Sequence, residues 1–382
     1  MKKTRLPHSE NETILIDERG MLDVPYLVLT MMLVGIGLVM LFSASYAWAI
    51  NYDLPSVYYF IRQAGFAAVG IGFMIFISRV NYQIWRFGSF WVLGISIFFL
   101  ILVQIPGLGV TRNGATRWIN IGFEFQPSEA AKMGMILTFA NLMSVYRDKM
   151  QTFKYGVLPF GIILGVIAVL LILQPHLSAT VIFCATGAIM MMLGGTRVRW
   201  LIVGAAAAGV LVMLYLKLFG YTSDRIVAWQ DPFKHADDKG YQIVQSLYAI
   251  GSGGLFGLGF GHSRQKYLYL PEAQNDYIFA IVCEELGLVG ATLVMLLFAL
   301  LIIRGYWIAM HARDRFGALV AAGLTTLLAL QVFFNIGVVS NFLPSTGISL
   351  PFFSYGGTAL LIQLAEMGIV LSISRRNTEK LI

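Results

Sequence analysis

Charge is scarce in this chain: Asp, Glu, Lys and Arg make up 12% of its 382 residues, about half the share of a soluble domain. An ordinary water-exposed globule is thereby excluded. Cysteine is scarcer still, with only Cys184 and Cys283, both inside apolar runs. That excludes a disulfide framework and a cysteine-built metal site. The five histidines form no H-E-x-x-H pattern, so a zincin-type centre has no support. Short alternating apolar and polar segments are also missing, which excludes a transmembrane β-barrel. No fixed-period repeat and no low-complexity tract occurs.

Apolar length, by contrast, is abundant. Hydrophobic residues reach 58%, enough for about ten crossings at about 20 residues each. Runs such as 160–173 (FGIILGVIAVLLIL) are unbroken. The pattern predicts an all-α polytopic membrane protein with spans at 24–50, 57–78, 86–105, 128–146, 155–174, 177–194, 198–219, 276–304, 316–340 and 355–374. The first run is too long for a signal-peptide core, so an uncleaved first helix is expected. Residues 1–23 and 375–382 are expected as tails, and 24–374 as one ten-helix membrane domain.

The net charge of +7 is mostly a matter of topology. In the alternate loops and tails on one side lie 17 of the 27 basic residues, Arg79, Arg147, Arg313 and Arg375 among them, while the opposite short loops 51–56, 175–176 and 341–354 hold none. Both termini are therefore expected in the cytoplasm, and nucleic acid is not expected as a partner. Two outward segments, 106–127 and 220–275, are long and rich in polar residues, as functional loops are.

Within them a few residues stand out. The stretch 251–261 (GSGGLFGLGFG) fits neither dinucleotide-binding nor Walker A spacing,; its glycines suit a surface segment approaching a ligand, or close helix packing and a re-entrant turn. Gln126-Pro127-Ser128-Glu129-x-x-Lys132 has a local explanation, since Pro and Glu suit a first helical turn and Glu129 and Lys132 stand at i,i+3. Equally, a cation just inside a membrane helix under an outward loop is placed to meet a phosphate. Asp276 opens the eighth span and suits a helix cap, or an acid facing the outer water. Of the two acids further in, only Glu284 falls within about 80° of Asp276 on the helical wheel. Arg62 and Glu366 lie within spans and read as structural ion pairs. Gln331 and Asn335, at i,i+4, read as interhelical hydrogen-bonding residues.

Taken together, several motifs resemble the SEDS family (shape, elongation, division and sporulation), most of all its FtsW and SpoVE branch, over nearly all of 24–376. They are Asn113-Gly114-Ala115-Thr116-Arg117-Trp118, Gln126 to Glu129 with Lys132, Gln174-Pro175, Gln245 to Gly251, Gly261 to Lys266, Pro271 to Glu285, and Pro351 to Gly357. Three positions depart from the usual pattern: His176 for Asp, His262 for Gln, and Asn275 for Thr.

The resemblance implies a peptidoglycan glycosyltransferase that polymerises lipid II on the outer side of the bacterial cytoplasmic membrane, beside a class B penicillin-binding protein and other division or cell-wall proteins. It implies an inverting transfer with Asp276 as base. Arg117, Lys132, Arg264 and Lys266 would lie near the donor pyrophosphate, with Glu129 holding Lys132. Glu272 would contact substrate, and Ser263 and Glu284 would support the site. No organic cofactor is expected, and a Mg²⁺ or Mn²⁺ ion would have to borrow phosphate oxygens. A lipid II flippase is the rival reading, because buried acids and an arginine also suit a translocation path.

Overall fold

The computed structural model describes residues 20–375 except 113, 114, 121, 123, 220 and 239. The tail residues 1–19 and 376–382, and the Asn113-Gly114 start of one motif, lie outside the described residues. Thirteen α-helices and three short strands follow in the order α1 (Val24–Asn51), α2 (Tyr58–Arg79), α3 (Gln83–Leu102), β1 (Gly109–Arg112), β2 (Ala115–Asn120), β3 (Glu124–Phe125), α4 (Pro127–Val145), α5 (Phe153–Gly156), α6 (Leu158–Leu173), α7 (Leu177–Leu193), α8 (Val198–Phe219), α9 (Tyr221–Gln230), α10 (Tyr241–Gly253), α11 (Ile278–Met310), α12 (Arg315–Val339) and α13 (Gly357–Ser374).

Each of the ten expected spans is a helix, with ends within three residues of expectation except that α11 runs six residues further. Seven of these are long and apolar enough to cross a membrane unaided, counting α5 and α6 as one, while α7 is apolar but shorter. α4 carries Glu129 and Lys132 within its first turns and is largely buried. Large apolar side chains such as Phe87 and Trp91 on α3 point outward, as side chains facing lipid do. The protein is a multi-pass membrane protein.

Close helix packing comes from small residues, as expected where lipid gives no hydrophobic drive between helices. α2 lies along α13 with Gly70 against Leu364, and α3 crosses α4 with Gly134 against the Leu93 backbone. At the start of α1, Asp23 caps the helix through the Tyr26 N–H at 3.0 Å and pairs with Arg304 of α11 at 2.8 Å. This ion pair ties the first helix to the far end of the eighth span.

The outward segments carry more structure than their polarity suggests. The strands Gly109–Arg112, Ala115–Asn120 and Glu124–Phe125 form a three-stranded antiparallel sheet in the order β1-β2-β3, with an irregularity between Val110 and Thr111. Helices α9 and α10 lie in the second segment. Ser246 Oγ of α10 donates to Val339 O at 2.7 Å, and Trp229 Nε1 of α9 donates to Asn341 O at 3.1 Å, so both helices are fastened to the end of α12.

α11 is interrupted at Gly287 (φ 67°, ψ −171°). The carbonyls of Glu284 and Glu285 accept from the N–H groups of Leu258 and Gly259, and the N–H groups of Leu288 and Val289 donate to Gly254 and Leu255, all at 2.9–3.1 Å. Non-helical backbone within a membrane helix is tolerated only when its polar groups are satisfied in this way. A Cβ at Gly287 would collide with Gly257 N. The glycine-rich stretch is thus a re-entrant turn packed into a break in α11.

Candidate active site

Turns at one end of the bundle converge on a polar cleft of about 740 Å³, within the usual range for small-molecule sites of about 300–1,000 Å³. The end of α1 and start of α2, β2, the first turns of α4 and α7, the segment before α11 and the loop before α13 all supply its walls. Asp276, Arg117, Lys132, Glu129 and Glu272 line it together, so five of the sequence-marked residues share one space.

Each is held by a local device. Lys132 Nζ pairs with Glu129 Oε2 at 2.8 Å, with side-chain exposures of 5% and 11%, one helical turn apart as the spacing demands. Arg117 stands on β2 and donates from its guanidinium to Pro175 O at 2.6 Å, which fixes the sheet over the α6–α7 turn. Glu272 has a positive φ of 55° and accepts from Asn275 Nδ2. Asp276 stands one residue before the Tyr277 cap of α11, so the capping position falls beside it. Its backbone carbonyl accepts from Asn335 Nδ2 at 2.7 Å.

Ser263, Arg264, Lys266 and Glu284 are gathered elsewhere. Lys266 is buried, and its ammonium reaches Glu285 and Ser43 Oγ at 2.9 Å and Gly261 O at 2.7 Å. Glu284 accepts from Ser263 Oγ and from the backbone N–H of Arg264 at 2.9 Å. Arg264 is exposed. None of the four lines the cleft. The two acids of α11 instead anchor the turn 263–266, because that turn folds back onto the helix interruption and offers them a cation and N–H donors. Helical-wheel angles carry no information about such a return.

Further residues without individual roles in the sequence reading also line the cleft: His176, Gln274, Gly347 and Glu124. His176 and Gln274 belong to quoted motifs and were therefore findable; Gly347 carried no signal of its own. Burial, with Arg117 and Lys132 nearby, pushes the His176 imidazole well below its usual range, so the ring is neutral at pH 7. Arg62 is exposed, lines the cleft and donates to Tyr58 Oη at 2.8 Å. Glu366 is buried on α13. Neither forms an ion pair among the described residues, so the structural pairs expected for them are replaced by a place at the cleft and a place in the core.

Beside the cleft runs an apolar groove of about 710 Å³ between α2, α3 and α13, lined by Ile61, Gly65, Val69, Phe99, Leu361 and Ile362, with Arg62, Phe66 and Thr358 common to both spaces. Among the described residues no group of three or more His, Cys, Asp or Glu side chains is placed to hold a metal ion. The side chains present do not fit a resident all-protein metal site.

Fold and cleft together define a multi-pass membrane protein with a charged site at one end of its bundle and an apolar groove beside it. The chain belongs to the FtsW, RodA and SpoVE family, whose model, described as a cell cycle protein, matches residues 25–379. It is 42% identical over 357 residues to stage V sporulation protein E of Bacillus subtilis (strain 168), covering 92% of this chain and 97% of that one. It is 39% identical over 356 residues to the probable peptidoglycan glycosyltransferase FtsW of Geobacter sulfurreducens, covering 93% and 95%. Among solved structures, a chain of a peptidoglycan synthase complex that coordinates polymerization and crosslinking superposes with a TM-score of 0.78 at 26% identity, over 94% of this chain and 99% of that one. The rod shape determining protein RodA of Thermus thermophilus gives 0.69 at 25% identity, over 94% and 98%.

Proposed function

We propose that this protein is a peptidoglycan glycosyltransferase that polymerises lipid II on the outer face of the bacterial cytoplasmic membrane. The observation that carries the reading is the wall shared by cleft and groove, made by Arg62, Phe66 and Thr358. A substrate with a charged sugar head and a long hydrocarbon tail needs two such compartments side by side. A soluble sugar nucleotide needs only the first.

In this reading the chemistry divides among named groups. The attacking sugar hydroxyl gives its proton to the Asp276 carboxylate as the oxygen bonds to the donor's anomeric carbon. The bond from that carbon to the pyrophosphate breaks, and the departing electron pair stays on the pyrophosphate. Arg117 and Lys132 stabilise that charge, worth most in a site that excludes water. A single carboxylate base with no covalent intermediate inverts the anomeric centre, from an α-linked donor to a β-linked glycan. Glu129 keeps Lys132 in place, and Glu272 steadies the segment carrying Asp276 through Asn275. A Mg²⁺ or Mn²⁺ ion, if one takes part, would borrow the pyrophosphate oxygens, because no three His, Cys, Asp or Glu side chains are grouped to hold a metal among the described residues.

The partner in this reading is a class B penicillin-binding protein, which crosslinks the strands, together with other division or cell-wall proteins; enrichment at the division septum belongs to the same proposal. Supporting it are the family, the FtsW relatives named as probable peptidoglycan glycosyltransferases and the likeness to a chain of a peptidoglycan synthase complex. Purified protein with its transpeptidase partner, given lipid II in detergent, is expected to yield glycan strands on a gel. Transfer of lipid II across vesicle membranes with no strand formed would favour the flippase reading instead.

A further inference from the structure

Asp276 is not held by its own helix alone. Asn335 of α12 is almost fully buried, and its side-chain nitrogen donates to two carbonyls at once, Asp276 O and Ile348 O, each at 2.7 Å. Both partners are acceptors, so only the NH2 end of the amide can face them. One side chain therefore sets the distance between the segment carrying the acid and the loop preceding α13. Two further bonds close the same seam: Ser354 Oγ donates to Asn275 O at 2.7 Å, and Tyr355 N donates to Gln274 O at 2.9 Å.

Opposite the carboxylate lies Gly347, with φ at 67°. A Cβ there would sit 3.2 Å from Asp276 Oδ2, with no other heavy atom beyond its chain neighbours within 4 Å. Any side chain in place of the glycine's hydrogen would press on that oxygen first. We infer that Asn335 and Gly347 are positioning residues for the base, the amide fixing the backbone of Asp276 and the missing side chain of the glycine leaving its carboxylate the room it occupies. The inference rests on the assignment of Asp276 as base. It gives Asn335 a role beyond holding helices together, although the amide itself touches no substrate.

The test uses the full-length protein with its transpeptidase partner and lipid II. Asn335→Asp keeps the shape but, when ionised, has no proton to offer the two carbonyls. Gly347→Ala presses on the carboxylate without removing a hydrogen bond, at the cost of a side chain at φ 67°, and stands in where Asn335→Asp fails to fold. Asn335→Asp is expected to lower kcat by about tenfold to a hundredfold, the scale of an ångström-sized misplacement, and Gly347→Ala by a smaller factor of about threefold to tenfold, since the carboxylate need give only by tenths of an ångström,; KM for lipid II stays within about twofold of wild type in both. Each should also shift the acid limb of the pH profile of kcat, since a displaced carboxylate titrates in different surroundings. A merely structural defect would lower the amount of active protein and leave that limb in place. Wild-type kcat in Gly347→Ala, or a change confined to KM, overturns the inference. Asp276→Asn, run in parallel, separates the two failures: if it is inactive while the positioning variants behave as wild type, only the positioning role is lost, and if it is active, the base assignment itself falls.

Discussion

Replacing Lys132 with methionine removes a charge in two settings at once, and the structure separates them. Within the protein, Lys132 and Glu129 form a nearly water-free pair at 2.8 Å. Deleting one partner strands the other's charge, at a cost of about 3–5 kcal/mol in buried pairs. Toward the donor, a charged hydrogen bond to phosphate is worth about 1.5–3 kcal/mol, so its loss weakens binding by about tenfold to about 150-fold. Lys132→Met should therefore lower both the thermal midpoint in detergent and the rate of polymerisation. The double variant Glu129→Gln, Lys132→Met carries neither charge, so much of the lost stability should return. Polymerisation should not return with it, because the phosphate still lacks its cation. The assay is a thermal melt beside KM and kcat for lipid II on the wild type, both single variants and the double variant. Recovery of stability and polymerisation together would show that Lys132 serves only to balance Glu129, refuting its role at the pyrophosphate.

Orientation is tested by cysteine labelling in cells lacking Cys184 and Cys283: Asp53→Cys should react with an impermeant thiol reagent and Arg313→Cys should not, and the reverse pattern would invert the topology. His176 supplies a pH test. Its folded-state pKa lies below the usual value near 6.5, so the stability it contributes is full above about pH 6.5 and is lost as falling pH protonates the unfolded chain, by up to about 1.4 kcal/mol per pH unit. In His176→Gln the thermal midpoint should fall less between about pH 6.5 and 5; a slope equal to wild type would assign the acid sensitivity to other groups. Gly287→Val should prevent the re-entrant turn from docking into α11, since the position has φ 67° and a Cβ would meet Gly257 N; an unchanged melting midpoint would contradict the pairing described for that break.

The spans were legible because a membrane crossing needs a long apolar run, and α1, α6 and α12 each supply one. The pair Glu129 and Lys132 was legible for a similar reason, since helical spacing alone puts them together. Features that depend on distant segments were not. The sheet of β1, β2 and β3 rests on strands of two to six residues, too short for a period to register. The break in α11 is set by Gly287 meeting the backbone of residues 254–259, and nothing within α11 foretells that encounter. The same return of the chain brings Lys266 to Glu285, so a cation expected near the donor lies against a buried acid. Gly347 shows the limit most plainly, because its relevance lies in the side chain it does not have and in the carboxylate that a Cβ there would meet.

The proposed reaction turns on Asp276 accepting the proton of the attacking sugar hydroxyl. Asparagine keeps the size of the side chain and would cap a helix as well as aspartate does, yet it cannot take that proton. The direct measurement is the initial rate of lipid II polymerisation by Asp276→Asn with the transpeptidase partner at saturating lipid II, alongside expression level, thermal midpoint and partner binding. A fall of about 10²–10⁴ in rate is expected, with the other three preserved. A rate above about a third of wild type would contradict it, since loss of a general base costs far more than that, and would return Asp276 to a structural role at the start of α11.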